Sequence, residues 1–237
     1  MPVLPTDNPQ SIDVVLFDYG QVLSGPPNPA AWAHMRSITA LDEAPFHAAY
    51  WAYRHDYDRG TLTGPAYWNA VAAHAGIVLS PTQLSELLTA DITLWTDLNP
   101  PMVAWAQRLQ RAGIRTAILS NIGDAIAEGI RARLPWLTAF EHSTWSHALF
   151  LAKPEPEIFL HTVAALSTPP ANILFIDDRE DNIAAAHALG LQTVHYTTHP
   201  AFEQEMHRRN LTYLLDVGLT PEAEPSTAQS APHPTAK

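Results

Sequence analysis

The ten residues Val14–Leu23, VVLFDYGQVL, decide the fold of this chain. They begin with four apolar residues, a pattern typical of a buried strand, and the run ends at Asp18 and a glycine turn. In an open parallel α/β sheet, ligands bind at the carboxyl ends of the strands. Asp18 is therefore a candidate nucleophile or metal ligand. The alternative interpretation is an aspartate that caps the turn which follows.

Three later apolar runs predict three more buried strands. They are Thr116–Leu119, Ile173–Ile176 and Thr193–Tyr196. Segments that begin with proline or end at glycine alternate with them and predict helices over Met102–Ala112, Ile158–Leu166 and Asn182–Leu189. Alternating strands and helices of this length predict an α/β fold with a Rossmann-like, doubly wound parallel sheet.

Residues 29–99 interrupt this alternation. The segment shows helical spacing and is rich in alanine, leucine and aromatic residues, including four of the seven tryptophans of the chain. Because it follows the functional end of the first strand, we predict an inserted α-helical cap that covers the site. The predicted α/β core then consists of 12–28 and 100–217, and the polar ends, 1–11 and 218–237, are expected to be disordered.

Composition limits the classes of function. The 237 residues carry a formal charge of -11 with no offsetting lysine or arginine cluster, so nucleic acid and membranes are not expected partners. The absence of cysteine excludes disulfides and thiolate chemistry. No apolar run suits a membrane span, and the first eleven residues do not resemble a signal peptide. We expect a cytoplasmic protein, monomeric or homodimeric.

Polar side chains are expected to meet at the carboxyl edge of the predicted sheet. In chain order they are Asp18, Ser120-Asn121, Lys153-Pro154 and Asp177-Asp178. Such a cluster at this edge is typical of a ligand site. Taken singly, Asn121 is also typical of a turn or helix cap, and Lys153 of an exposed loop.

In this order the four groups resemble the four motifs of the haloacid dehalogenase superfamily, in the subgroup with a small helical cap between the first and second motifs. The resemblance extends from about Asp13 to Thr197. It is carried by the phrases FDYGQVL at 17–23, KPEPEIF at 153–159 and IDDREDN at 176–182. These phrases are most similar to sugar-phosphate phosphatases of the glucose-1-phosphatase type and to the amino-terminal phosphatase domain of soluble epoxide hydrolase.

The candidate residues also suit phosphoryl transfer on chemical grounds. Asp18 can attack phosphorus and form an aspartyl-phosphate. Mg²⁺ prefers carboxylates, waters and phosphate oxygens, and Asp18 with Asp178 can supply the carboxylates. Ser120 and the amide hydrogens after it, where the strand enters Asn121-Ile122-Gly123, can donate to phosphate oxygens. Lys153 can neutralise both the phosphate and Asp18.

The resemblance implies further roles around the metal. It implies the backbone carbonyl of Gly20 as a third protein ligand. It also places Asp178 on the metal and gives Asp177 a supporting role. Asn182 lies where many relatives carry an aspartate, and its implied role is hydrogen bonding around the metal site.

Gly20 stands where most phosphatases of this superfamily carry a second aspartate, the general acid and base. Such catalysis typically contributes about 10²–10⁴-fold, so the difference needs an explanation. A cap residue can replace this acid, and residues 53–59, YRHDYDR, are the richest source, with Arg54 also a candidate ligand for substrate phosphate. The same cluster is equally typical of a solvated helix end. A second explanation is a leaving group that needs little protonation, as in a sugar 1-phosphate or an acyl phosphate.

A third explanation is a metal-independent 2-haloacid dehalogenase in which Asp18 attacks carbon, because halide leaves without protonation. Dehalogenases of this superfamily usually carry a tyrosine at Gly20 and a Ser-Asn pair at Asp177-Asp178, and two adjacent carboxylates would repel a carboxylate substrate. A non-catalytic protein that binds a phosphorylated metabolite or a partner protein is the remaining alternative. We predict a Mg²⁺-dependent hydrolase of small phosphomonoesters of the sugar-phosphate class.

Overall fold

A computed structural model of the chain describes residues 11–219. Within this range the chain forms five strands, which pair in parallel throughout. The strands are β1 Val14–Phe17, β2 Arg115–Ser120, β3 His142–Trp145, β4 Ile173–Asp177 and β5 Gln192–His195. The ends predicted to be disordered, 1–11 and 218–237, lie outside the described residues, apart from Ser11, Gly218 and Leu219.

After β1 the chain forms an irregular turn, Tyr19–Leu23, and then five helices within residues 29–99. These helices are α1 Pro29–Thr39, α2 Glu43–Ala52, α3 Arg54–Arg59, α4 Gly64–His74 and α5 Pro81–Leu94. Side-chain caps explain where α1 and α5 begin, because the Asn28 side chain accepts from the amide of Ala31, and Ser80 and Gln83 form a capping box. We call residues 29–99 the cap.

The remaining helices surround the sheet. They are α6 Pro100–Arg111, α7 Asp124–Arg133, α8 Ser146–Leu149, α9 Pro156–Leu166, α10 Glu180–Ala188, α11 His199–Arg208 and α12 Thr212–Leu215. None of the helices within residues 11–219 has the length and apolar character that crossing a membrane requires.

The strands lie in the order β3-β2-β1-β4-β5. β1 is central, with Val14 opposite Arg115 on one side and Ile173 on the other. After β1 the chain forms β2 and then β3 on one side of it. It then crosses back and forms β4 and β5 on the other side. In such doubly wound sheets the crevice for ligands lies where the order reverses, which here is the carboxyl end of β1. The predicted Rossmann-like α/β fold with a helical cap is therefore confirmed.

The sequence missed one strand, β3. Its four residues, HSTW, contain no apolar run, and only the last two are buried. This composition is possible because β3 lies at the edge of the sheet, where one side of the strand has no partner among the described strands. The four predicted strands are all present, with ends that differ by one residue at most.

Both faces of the sheet are buried, and alternate residues of β1 belong to different apolar clusters. Val14 and Leu16 pack on the face covered by α9 and α10. Val15 and Phe17 pack on the opposite face, where the Phe17 ring lies 5.4 Å from that of Trp105. This second cluster continues without a break into the buried residues of the cap, so cap and sheet share one hydrophobic core.

The cap is fixed to the core at its hinge and at its inner end. At the hinge, the amide of Gly25 donates to the carbonyl of Asp97 at 2.8 Å, and that of Asn99 to Leu23 at 3.0 Å. At the inner end, α3 lies so close to the loop after β2 that a Cβ atom on Gly123 would fall 2.2 Å from the ring of Tyr57. Only glycine permits this approach.

Candidate active site

The ends of three strands and one loop bring the predicted residues to one cavity of about 370 Å³ between the sheet and the cap. Asp18 follows β1, Ser120 ends β2, and Asp177 ends β4 with Asp178 after it. Lys153 reaches them from the loop before α9. The cavity wall contains the predicted residues Asp18, Gly20, Arg54, Ser120, Asn121, Lys153, Asp178 and Asn182. Asp177 lies fully buried behind this wall.

Asp18 has one oxygen engaged and one free. Its Oδ1 accepts from the amide of Tyr19 at 2.7 Å and contacts Nζ of Lys153 at 2.9 Å. No residue within 11–219 donates a hydrogen bond to Oδ2, so this atom can react or bind a cation. Burial raises the pKa of Asp18 to about 7, against the attraction of Lys153 and with repulsion from Asp177 and Asp178.

Asp177 supports Lys153. Its Oδ2 lies 2.6 Å from Nζ of Lys153, and its Oδ1 accepts from Nδ2 of Asn182 at 2.9 Å and from the amide of Arg179 at 2.8 Å. Burial disfavours the charge of Lys153, but Asp177 and Asp18 outweigh that effect and raise the pKa of the ammonium group. With both oxygens engaged, Asp177 holds Lys153 and Asn182 in place, which agrees with its predicted supporting role.

The carboxylates fit a hard divalent cation. Oxygens of Asp18, Asp177 and Asp178 all lie within 4.8 Å of one another. Burial and the charge of Asp177 raise the pKa of Asp178, as expected where negative groups crowd together without enough positive charge. Oδ1 of Asn182 is buried and accepts no hydrogen bond from the described residues. A cation with bound water would relieve the repulsion and supply Asn182 with a donor.

Gln21 is a member of this site that the sequence did not reveal. Its Nε2 donates to Oδ2 of Asp178 at 2.7 Å. The residue has φ 56°, in the left-handed region that non-glycine residues rarely adopt. Backbone strain of this kind persists where the surroundings demand a particular side-chain position. The only sequence signal was its place in the turn after Asp18.

In the loop after β2, some polar groups are available to a ligand in the cavity, and others form hydrogen bonds with the rest of the chain. The hydroxyl of Ser120 has no partner among residues 11–219 and is available to a ligand. Asn121 instead donates from Nδ2 to the carbonyl of Lys153 and accepts from its amide, both at 2.8 Å. The amide of Ile122 donates to Oγ of Ser146 at 2.8 Å. The side-chain amide of Asn121 therefore positions Lys153, because both of its ends are engaged there, and donation from the main chain of Asn121 to phosphate stays a prediction.

Gly20 leaves space where the common acid would lie. Its backbone has φ -62° and ψ 128°, which any residue can adopt. A Cβ atom there would find only the Trp95 ring, at 4.0 Å. The glycine is therefore not required by backbone geometry or by crowding.

The cap contributes Trp51, Arg54, His55, Asp58 and Trp95 to the cavity. Arg54 is buried, donates from Nε to Oδ1 of Asp58 at 2.8 Å and contacts Asp91 at 3.4 Å. Its guanidinium carbon also lies 5.6 Å from the centre of the Trp95 ring. Arg54 is thus paired with two carboxyl groups of the cap, and its role as a phosphate ligand stays a prediction.

The haloacid dehalogenase-like hydrolase family model matches residues 22–190, more than half of the chain. The chain belongs to this family. It is therefore an enzyme of the haloacid dehalogenase-like (HAD) hydrolases, as the order of its motifs predicted.

Curated relatives of this HAD-like hydrolase are longer proteins. Drimenol cyclase drtB of Aspergillus calidoustus is 22% identical over 183 residues, which are 77% of this chain and 34% of the fungal protein. Bifunctional epoxide hydrolase 2 of Sus scrofa is 30% identical over 101 residues, 41% of this chain and 18% of the porcine protein. The chain thus spans about a third or less of the length of these relatives.

Solved HAD structures share the fold. The HAD family enzyme BT-2542 of Bacteroides thetaiotaomicron, in complex with magnesium and inorganic phosphate, has a TM-score of 0.66 and 23% identity, covering 80% of this chain and 96% of that one. L-2-haloacid dehalogenase of Xanthobacter autotrophicus has a TM-score of 0.59 and 17% identity, covering 86% and 88%. At these identities the likeness establishes the architecture.

Proposed function

We propose that this HAD-like hydrolase is a Mg²⁺-dependent phosphatase of small phosphomonoesters. The observation that carries the proposal is the meeting of Asp18, Asp177 and Asp178 within 4.8 Å, with Lys153 as the cation bound among them. Such a cluster suits a bound cation and a phosphate, which together balance its charges. The magnesium and phosphate complex of BT-2542 supports the same chemistry on this fold.

Asp18 would begin the reaction. Its free Oδ2 attacks phosphorus, the bond between phosphorus and the leaving oxygen breaks, and an aspartyl-phosphate forms. Lys153 holds Oδ1 at 2.9 Å and so keeps Oδ2 directed at the substrate. Ser120 donates its hydroxyl to a phosphate oxygen. Water then attacks phosphorus, the bond to Asp18 breaks, and inorganic phosphate is released.

Asp18 and Asp178 would hold the cation, with the Gly20 carbonyl as a further ligand by analogy with the family. When bound, Mg²⁺ would supply the positive charge that lets an anionic substrate approach an anionic nucleophile. Asn182 and Gln21 would orient the carboxylates around it.

The cap favours a neutral, hydroxyl-bearing leaving group over a second anion. Arg54, the only cap cation in the cavity wall among the described residues, is already paired with Asp58 and Asp91. Trp51 and Trp95 offer aromatic surface against which a sugar ring can pack. A sugar phosphate is therefore the proposed class of substrate.

The decisive experiment is a panel of phosphomonoesters and 2-haloacids, assayed with Mg²⁺ and with a chelator. We expect phosphate release that needs Mg²⁺ and falls by about 10⁴-fold or more in Asp18→Asn, because the nucleophile is lost. Asp42→Asn changes an exposed aspartate that makes no capping hydrogen bond and is the matched control. Halide release that is indifferent to chelator would replace this proposal with the dehalogenase.

A further inference from the structure

The cavity wall contains few groups that can exchange a proton with substrate. Among the described residues they are Asp18, His55, Asp58, Lys153 and Asp178, together with Tyr19, whose hydroxyl already donates to the carbonyl of Trp95 at 2.7 Å. Asp18 and Asp178 serve as nucleophile and cation ligand in the proposed function, and Lys153 is paired with two carboxylates. His55 and Asp58 remain, both on α3 of the cap. An alkoxide leaving group needs a proton, so one of them has an unassigned task.

We propose that Asp58 is the general acid and base of this enzyme, acting from the cap in place of a residue at Gly20. The inference rests on the proposed phosphatase function. A cap helix then supplies the proton for the leaving group, because no titratable group at the sheet edge is free for this role among the described residues.

The position of Asp58 suits the direction of the reaction. In-line displacement places the attacking and leaving oxygens on opposite sides of phosphorus. Asp18 attacks from the sheet edge, so the leaving oxygen points toward the cap. Asp58 forms part of the cap wall of the same cavity, with a side chain 17% exposed.

The Asp58 carboxyl is also held in place. Nε of Arg54 donates to its Oδ1 at 2.8 Å. Its main-chain carbonyl accepts from Oγ of Ser146, which fixes the end of α3 to the core. His55 is exposed and makes no hydrogen bond with residues 11–219. Proton transfer needs a positioned group, so the geometry favours Asp58.

The charges around Asp58 allow both protonation states. Burial raises its pKa, while Arg54 and His55 from the same helix and the Gly123 amide from α7 oppose the shift. Asp91 of α5 lies beyond Arg54 and shares its charge. A carboxyl with a raised pKa remains protonated closer to neutral pH and can donate to a leaving group.

The proton balance closes over one cycle. As the bond from phosphorus to the leaving oxygen breaks, the Asp58 proton moves to that oxygen, and a neutral alcohol departs. Asp58 then takes a proton from water as the water oxygen bonds to phosphorus and the bond to Asp18 breaks. Asp58 is again protonated and Asp18 is again a carboxylate. One water is consumed.

The test compares Asp58→Asn with wild type over phosphomonoesters whose leaving groups differ in pKa, with Mg²⁺ saturating. We expect kcat/KM to fall by about 10²–10⁴-fold for alkyl phosphates and by less than about 10-fold for p-nitrophenyl phosphate. Asp56→Asn, an exposed aspartate on the same helix, is the matched control. Gly20→Asp in the Asp58→Asn background should restore turnover of alkyl phosphates, because that position is open.

Other outcomes overturn the inference. An equal loss for every leaving group would make Asp58 a structural residue, and a selective loss in His55→Ala instead would move the role to His55. Should Asp58→Asn not fold, the wild-type enzyme still decides: a steep dependence of kcat/KM on leaving-group pKa would show that no acid acts. Absence of phosphate release by the wild-type enzyme would instead overturn the proposed function. This result differs from every outcome that overturns only the role of Asp58.

Discussion

Two buried clusters of this molecule share the arrangement of one cation between two carboxylates, yet they have different roles. In the core, Lys153 lies between Asp18 and Asp177, and in the cap, Arg54 lies between Asp58 and Asp91. Each contains one cation and two carboxylates. The core cluster has a third acid, Asp178, and opens Asp18 to the cavity.

The cap cluster is enclosed around Arg54 and Asp91, and its Asp58 lies in the cavity wall. The rings of Tyr50, Tyr57 and Trp95 lie 5.4 to 5.6 Å from the guanidinium carbon of Arg54, and Asp91 is 1% exposed. One cation between two carboxylates therefore does not by itself separate a cluster that suits a metal ion from one that holds a cap together. The third acid of the core cluster, Asp178, separates them.

Removing the central cation from each cluster should give the largest loss of stability and separate the roles of the two clusters. Lys153→Met and Arg54→Met each leave two buried carboxylates without their partner, which typically costs about 3–5 kcal/mol in the free energy of unfolding. Thermal or urea unfolding with and without Mg²⁺ measures the difference. We expect Mg²⁺ to restore much of the stability of Lys153→Met and none of that of Arg54→Met. Equal recovery of both variants would contradict separate roles.

Two glycines test how tightly the cap is sealed to the core. Gly60 and Gly76 both have positive φ, 89° and 70°, so alanine strains the backbone at either position. A Cβ on Gly60 would also lie 2.3 Å from the carbonyl oxygen of His147, whereas one on Gly76 meets nothing within 4 Å. We expect Gly60→Ala to lose about 1–3 kcal/mol more than Gly76→Ala in urea unfolding. Similar losses would mean that α3 can move away from the core at little cost.

Gln21 offers the smallest and most specific test. Gln21→Gly removes the hydrogen bond to Asp178 and relieves a left-handed backbone. We expect Mg²⁺ affinity, measured by calorimetry without substrate, to fall by about 10-fold, since residues that orient metal ligands typically contribute 10–100-fold. The unfolding temperature without Mg²⁺ should stay level or rise. Unchanged affinity would show that Asp178 needs no such support.

The core site was predictable because its chemistry is local in sequence. Asp18, Ser120 and Asp177 each end an apolar run, and the parallel sheet alone brings such ends together. Gln21 and Asp91 were not predictable, because their roles depend on side chains that meet across turns and helices. Asp58 stood in a cluster that the sequence singled out, but only the packing of α3 against Gly123 and Ser146 places it on the cavity.

The contact of Gly123 with Tyr57 has a consequence for the modularity of this family fold. A cap is inserted in one place in the chain, so it resembles a part that could be exchanged between relatives. Here the loop that carries Ser120 lies against a tyrosine of the cap, and a Cβ on Gly123 would lie 2.2 Å from that ring. A cap from a relative would have to pack against this loop, whose surface at Gly123 fits the ring of Tyr57. If the proposed function holds, a change of the cap should therefore alter substrate selectivity and phosphate binding together.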